Sequence, residues 1–291
     1  MGLMTKPDTE AAARYLAANG RVLERRRFER LFADGGAGPV RDAVAAYRNA
    51  DGGFGHALEP DGRCPGSQPL AIEFALRVLH ETDAWDAGLA EGACEWLAAH
   101  APPGGGAAFA DPSINGWPHA PWMVPEDGAP ASLITTGLIA GTLHARGLQH
   151  PWLDGATRLL WSRIGSLTGT GPYDVRAVLR FLDSVPDRDR AHAAAARLGP
   201  VIFGEGLVAL EPGAPGEVHT PLDFAPLPGS PARSLFDEAV IAAHLDHLAD
   251  AQRDDGGWMF NWQAWSPTAE REWRGAVTVD ALQLLRANGR S

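Results

Sequence analysis

The stretch from Gly55 to Gln68, GHALEPDGRCPGSQ, gathers His56, Glu59, Asp61 and Arg63 into one short segment. Two carboxylates beside an imidazole are the groups that general acid and base chemistry uses, since one can hold a proton while another accepts one. Pro60 stops Glu59 from running on into a helix, and a charged group held in such a loop needs a partner. Asp61 also suits a plainer task, capping the helix that follows. A second stretch, Asp111 to Asp127 (DPSINGWPHAPWMVPED), is proline-rich and carries Trp117, His119, Trp122, Glu126 and Asp127. Loops of this length often act as lids. The third, Trp258 to Trp273, adds Trp258, Trp262, Trp265 and Trp273, with Glu270 and Glu272 close by.

These stretches must be positioned by helices. Apolar residues recur at helical spacing from Thr9 to Leu31, with Asn19-Gly20 as a break, and again over Val40 to Arg48. Gln68 to His80 is apolar nearly all round, as buried helices are, while Asp86 to His100 is amphipathic and suits an outer position. The alternation continues with Pro130 to Arg146 (inner), Trp152 to Ile164 (outer), Tyr173 to Leu182 (inner) and Asp187 to Leu198 (outer). Gly199 to Pro231 reads as weakly structured, Ser234 to Ala251 as a helix and Gly275 to Ala287 as the closing one. No convincing strand competes with them.

Between helices stand glycine corners. Asp51-Gly52-Gly53-Phe54 matches Asp255-Gly256-Gly257-Trp258, and Gly104-Gly105-Gly106 falls about one unit after the first. Gly-Gly pairs end helices and turn the chain back. Ala57-Leu58-Glu59-Pro60 recurs as Ala209-Leu210-Glu211-Pro212. The offsets fit a unit of about 50 residues holding two helices, which cannot bury its faces alone and so implies a repeat architecture.

The bulk properties exclude several classes. At 291 residues with 45% hydrophobic residues, the chain has ample material for a core without staples. A net charge of −11, not concentrated in one tail, argues against nucleic acid or an anionic membrane as main partner. Only Cys64 and Cys94 are present, no leader is evident at the N-terminus, and no apolar run approaches a membrane span. A cytoplasmic protein is the expectation. The single lysine, Lys6, amid abundant Ala, Gly, Pro and Arg reflects GC-rich coding.

Gln252-Arg253-Asp254-Asp255-Gly256-Gly257-Trp258, with Tyr47 to Gly55 as a second copy, resembles the repeat of squalene and hopene cyclases and of protein prenyltransferase β subunits. The resemblance implies an all-α fold, an (α/α)6 toroid of helical hairpins around a central cavity. It would span residues 1–291 as a single domain, with 1–35 as a helical lead-in. In that superfamily the Gln and aromatic residues of the repeat tie helices together, so the corners read first as scaffold. Function should then lie in the segments between each corner and the next inner helix.

An isoprenoid in an apolar cavity is the substrate class the resemblance implies, for a terpene cyclase-like or prenyltransferase-like protein. Glu59 and Asp61 would supply acid or base chemistry, assisted by His56 and His119. Trp117, Trp122, Trp258 and Trp262, with Glu126, would shape the binding surface. Aromatic faces stabilise a cation by roughly 0.5–2 kcal/mol each, although any single Trp more often packs helix against helix. The departures from the family are clear. Neither DxDD, the proton donor of class II cyclases, nor DDxxD, a magnesium and diphosphate motif, is present. No cofactor is expected; Asp61 and Cys64 with His119 or His219 only faintly resemble the prenyltransferase zinc ligands. Two other readings stay open. One is a carbohydrate-active (α/α)6 enzyme pairing Glu59 or Asp61 with Glu126 or Asp127, and the other a non-catalytic toroid binding an apolar ligand or a protein.

Overall fold

Helices in the computed structural model, which describes residues 6–126 and 128–290, start where the sequence offers a cap or a proline. Asp8 caps α1 (Thr9–Asn19), and α2 (Val22–Phe32) follows the break at Gly20. After α3 (Ala37–Ala45) come α4 (Pro69–Glu81), begun by Pro69, and α5 (Ala87–Ala99), capped by the Asp86 carboxylate. Ser132 caps α6 (Leu133–Ala145), and prolines open α7 (Pro151–Ile164) and α8 (Pro172–Ser184). Then come α9 (Arg188–Gly204), the single turn α10 (Pro221–Phe224), α11 (Glu238–Asp250) and α12 (Pro267–Ala287). The only β pairing among the described residues is two isolated bridges, Arg48 with Phe54 and Gly62 with His119. No helix among them is long and apolar enough to cross a membrane.

Several boundaries differ from the sequence reading: α3 starts at Ala37 and ends at Ala45, α11 starts at Glu238 rather than Ser234, and the single turn α10 lies inside the stretch read as weakly structured. The last helix starts at Pro267 rather than Gly275, because the Ser266 hydroxyl accepts the Ala269 N–H and Pro267 fits the first helical position. The helix α9 runs through Pro200 to Gly204 instead of ending near Leu198.

The chain divides into two compact units, with boundaries between Gly36 and Ala37 and, inside α9, between Ala194 and Ala195. In the first, residues 37–194, α4, α6 and α8 lie side by side in sequence, while α5 and α7 pack together behind them. This is the alternation of inner and outer helices expected from the sequence. Helix α4 is buried on nearly every side, from Ala71 through Leu79. Gly137 and Gly141 let α6 approach α8 closely, since a Cβ on either would stand 2.7 Å from the carbonyl of Ala177 or Arg180. In the second unit, α1 and α2 pack on α12, and α11 packs on α10 and α12.

The corners repeat in atomic detail. At the first, Gly52 donates its N–H to the Asn49 carbonyl (3.1 Å), and Asn49 N–H reaches the Gly53 carbonyl (2.9 Å). At the last, Gly256 donates to Arg253 (2.8 Å) and Arg253 to Gly257 (2.9 Å). Asp51 and Asp255 each accept the N–H two residues on, at 3.0 Å. Gly105 donates to Pro102 (2.9 Å), which makes the Gly104 to Gly106 run a third member. Both Gly52 and Gly256 sit at φ +91°, a region L side chains avoid. A Cβ on Gly52 would collide with the Gly92 carbonyl of α5, and one on Gly256 with the Ala11 carbonyl of α1. Helix α1 thus seats the last corner as α5 seats the first. Gln252 fastens it, accepting the Asp8 N–H (2.7 Å) and donating to the Asp8 carbonyl (2.8 Å) and to that of Gly256 (2.9 Å).

Candidate functional site

The segment between the first corner and α4 is shaped by an unusual backbone. His56 and Ala57 both adopt the left-handed conformation (φ 56° and 59°), which costs a non-glycine residue roughly 1–2 kcal/mol. The His56 N–H is bonded to the Cys64 carbonyl (3.0 Å), closing the segment on itself. Glu59-Pro60-Asp61 crosses the middle of that closure, and Glu59 Oε2 accepts the Asp61 N–H at 3.0 Å. Both carboxylate residues are only 8% exposed. Asp61 does not cap α4, whose N-terminal flank is Gln68.

The proline-rich loop is tied to this segment at both ends of the contact. Gln68 accepts the Asp111 N–H (2.9 Å) and donates to Ser113 Oγ (2.9 Å). Further on, Arg63 N–H reaches the Pro118 carbonyl (2.9 Å) and Ala120 N–H the Asp61 carbonyl (2.7 Å), around the bridge between Gly62 and His119. That register carries Trp122 to Asp61, where the indole N–H donates to Oδ2 at 3.2 Å. An indole N–H only donates, so this oxygen is an acceptor. Beside the pair lies a small cavity of about 10 Å³ lined by Leu58, Glu59, Cys64, Gln68, Leu70 and Met123. It is largely apolar, with a carboxylate and an amide in its wall, and at the size of about one water it is far below the roughly 300–1,000 Å³ of most small-molecule sites.

Glu59, Asp61 and Trp122 are therefore brought together, and His119 is joined to the segment through its backbone bridge to Gly62. His119 Nδ1 lies 2.7 Å from the Trp117 carbonyl, an acceptor, so the neutral ring carries its proton there and leaves Nε2 as the basic nitrogen. His56 is bonded instead to Asn49, Nε2 to Oδ1 at 2.9 Å. Trp117 (47% exposed) and Trp122 (45%) present open faces, and Glu126 lies exposed further along the loop. Asp127 lies outside the described residues. Trp258 and Trp262 belong to the other unit. Trp258 is 1% exposed and packs, its indole N–H donating to the Leu248 carbonyl (2.8 Å) and its backbone N–H to Thr278 (3.1 Å). Trp262 stacks on Phe260 (4.4 Å between centroids) and meets Trp273 edge-on (5.4 Å).

Asn49 and Gln68, which hold His56 and the proline-rich loop, are not among the site residues the sequence suggests. Asn49 had a signal: it stands where the matching corner has Arg253. The thiol of Cys64 is directed to Ser113 (3.5 Å to the carbonyl, 3.9 Å to Oγ). Among the described residues no three His, Cys, Asp or Glu side chains gather as a metal-ligand set, so these residues do not fit the zinc centre that the prenyltransferase resemblance implies. Burial, helped by Glu91, pushes the Cys94 thiol up to about 12 and keeps it protonated and inert.

The chain matches no protein-family model and no curated protein sequence. Solved structures do match. A protein from Actinoplanes is similar over 97% of this chain and 89% of its own, with 16% identity and a TM-score of 0.56. The type II terpene cyclase MstE from Scytonema, in its apo form, is similar over 97% of this chain and 88% of its own, with 14% identity and a TM-score of 0.51. What is shared is the fold. The all-α class of the terpene cyclase toroids, expected from the two corners, is the class observed.

Proposed function

We propose that the protein is a terpene cyclase-like enzyme that acts on an isoprenoid, with Glu59 and Asp61 as its acid and base groups. The observation that carries this is the meeting of Asp61 and Trp122, brought from separate loops next to Gly62 and Met123, which line a small apolar recess with Glu59. A carboxyl group there can give a proton to an alkene or take one from a cation. Trp122, held to that carboxyl by its indole N–H, would offer an aromatic face to positive charge without quenching it. The likeness in fold to a type II terpene cyclase supports the substrate class, while the missing DxDD motif means that the proton donor differs from the family's.

The test is incubation of the protein with farnesyl and geranylgeranyl diphosphate and with an uncharged polyene, with products read by gas chromatography and mass spectrometry. Glu59→Gln and Asp61→Asn should each lower turnover by about 10² or more, the usual worth of a positioned acid or base, with the melting temperature little changed. Undiminished turnover in both variants removes the reading. Release of sugar from polysaccharides by the same two carboxylates would replace it with the carbohydrate-active one.

A further inference from the structure

The C-terminal ends of α4 and α6 meet at a single guanidinium. Arg146, the residue that follows α6, donates from Nε to His80 Nδ1 (2.9 Å), from one terminal nitrogen to the His80 carbonyl, and from the other to Asp83 Oδ1 (2.9 Å). Its Cζ lies over the Trp85 ring, 5.5 Å from the centroid. The His80 carbonyl belongs to the last turn of α4, so the arginine adds a bond where a helix runs out of its own donors. Asp83 takes a left-handed backbone (φ 50°) as the chain leaves that helix.

The direction of the bond to the ring is fixed. Every nitrogen of an arginine donates, and the group keeps its charge at any pH a protein meets. His80 Nδ1 is therefore the acceptor, and the ring is neutral with its proton on Nε2. A proton at Nδ1 would remove the acceptor and set two cations 2.9 Å apart. His144, on α6, shows the contrast: its Nε2 lies 2.8 Å from the Thr157 hydroxyl, which can give or accept a proton, so that bond survives charging of the ring.

The charges that act on His80 are Arg146 at the end of α6 and Asp83 in the turn after α4; α3 and α5, which also pack on α4, bring none to it among the described residues. On its own helix, Arg77 is paired with Glu73 (3.4 Å) and Glu81 (3.6 Å). Burial and Arg146 outweigh Asp83 and hold the imidazole below the ordinary histidine range.

We propose that His80 and Arg146 form a pH-sensitive clasp, which fastens the ends of α4 and α6 while the ring is neutral and releases them once it is charged. On release Arg146 keeps Asp83, whose side chain is 74% exposed, and follows it outwards. A depressed folded-state pKa makes the contribution of the clasp complete above the ordinary histidine value of about 6.5 and lost as the pH falls through the folded value. Helix α4 begins next to Gln68, the anchor of the proline-rich loop, so its two ends are fastened by different means and one of them depends on pH.

Hydrogen exchange of the full chain, corrected for the intrinsic effect of pH, tests this. The amides of Thr82 and Ala84, bonded to the Val78 and Leu79 carbonyls, and those of Arg146 and Leu148, bonded to Thr142 and Leu143, report the two ends. In the wild type their protection should fall about tenfold between pH 7.5 and the acid side of the ring's own titration. In His80→Asn, whose amide oxygen accepts in place of Nδ1 and takes up no proton, it should fall by less than about twofold. Unchanged protection in the wild type, or an equal fall in His80→Asn, overturns the proposal. Should that variant fail to fold, nitrogen-resolved NMR of the wild type decides. Nδ1 protonated at pH 7.5, or an Arg146 Nε–H signal that stays unmoved while the ring titrates, overturns the proposal as well.

Discussion

At the first corner Asp51 is bonded by Ser67, and the bonds continue through Asn49 to His56; at the last, Asp255 is bonded by Arg274 (2.9 Å), which also lies over the Tyr15 ring (4.7 Å), and they stop there. The backbone hydrogen bonds are the same in both, but the two paths then diverge. After Phe54 the chain enters a strained segment with two enclosed carboxylates, whereas after Gly257 it places Trp258 in the core. One turn leads into the packed core, and its twin leads into the segment whose carboxylates are proposed as the site. The comparison teaches that a repeat motif fixes the path of the chain and leaves the role of each copy to the side chains around it.

The equivalence is open to measurement, and the aromatic residue that closes each corner should give the largest effect. Trp258→Ala and Phe54→Ala remove fully buried rings and should each cost about 3–5 kcal/mol in denaturant unfolding. A loss under about 1 kcal/mol at either would show that its corner is not a packing centre. Next come Gly52→Ala and Gly256→Ala, each expected to cost about 2–4 kcal/mol from the left-handed backbone together with the clash on the neighbouring helix. If only one of the two is destabilised, the corners are not equivalent.

The smallest effect concerns acid. Burial raises the pKa of the Asp255 carboxyl, but the Gly257 N–H, Arg274 and Arg253 outweigh it and leave the group below the ordinary carboxylate range. A group with a depressed folded-state pKa contributes stability above its unfolded value, near 4, and that contribution is lost as the pH falls through the folded value. Asp255→Asn should therefore lower stability slightly at pH 7 and flatten its decline below about pH 4. Its side chain is half exposed, so the change stays small. A wild-type acid limb retained in the variant would exclude Asp255 as a contributor.

Much of this was legible in the sequence because it is local. Helical periodicity and caps lie within a few residues of one another, and the paired Asp-Gly-Gly motifs announced the repeat. Glu59 and Asp61 stood out by type. Their surroundings did not, since the contact with Trp122 depends on an isolated bridge and on Gln68, neither of which has a period. Nor does residue type tell exposure: Trp122 and Trp258 are both tryptophans after a helix corner, one 45% and the other 1% exposed. The path of α9 through Pro200 was hidden for a related reason, because proline reads as a stop when only the sequence is considered.

The fastening of Asp8 to Gln252 spans 244 positions of the chain, and it bears on the order of events during synthesis. The unit that holds the carboxylates is continuous, and all its contacts are available once Ala194 has left the ribosome. The other unit must wait with α1 exposed until the final helices emerge. Domains fold as units while translation proceeds at about 5–20 residues per second. The loops that carry Glu59 and Asp61 are thus assembled first, and the α1–α2 pair waits on the order of tens of seconds for α12, the interval in which a chaperone would meet this protein.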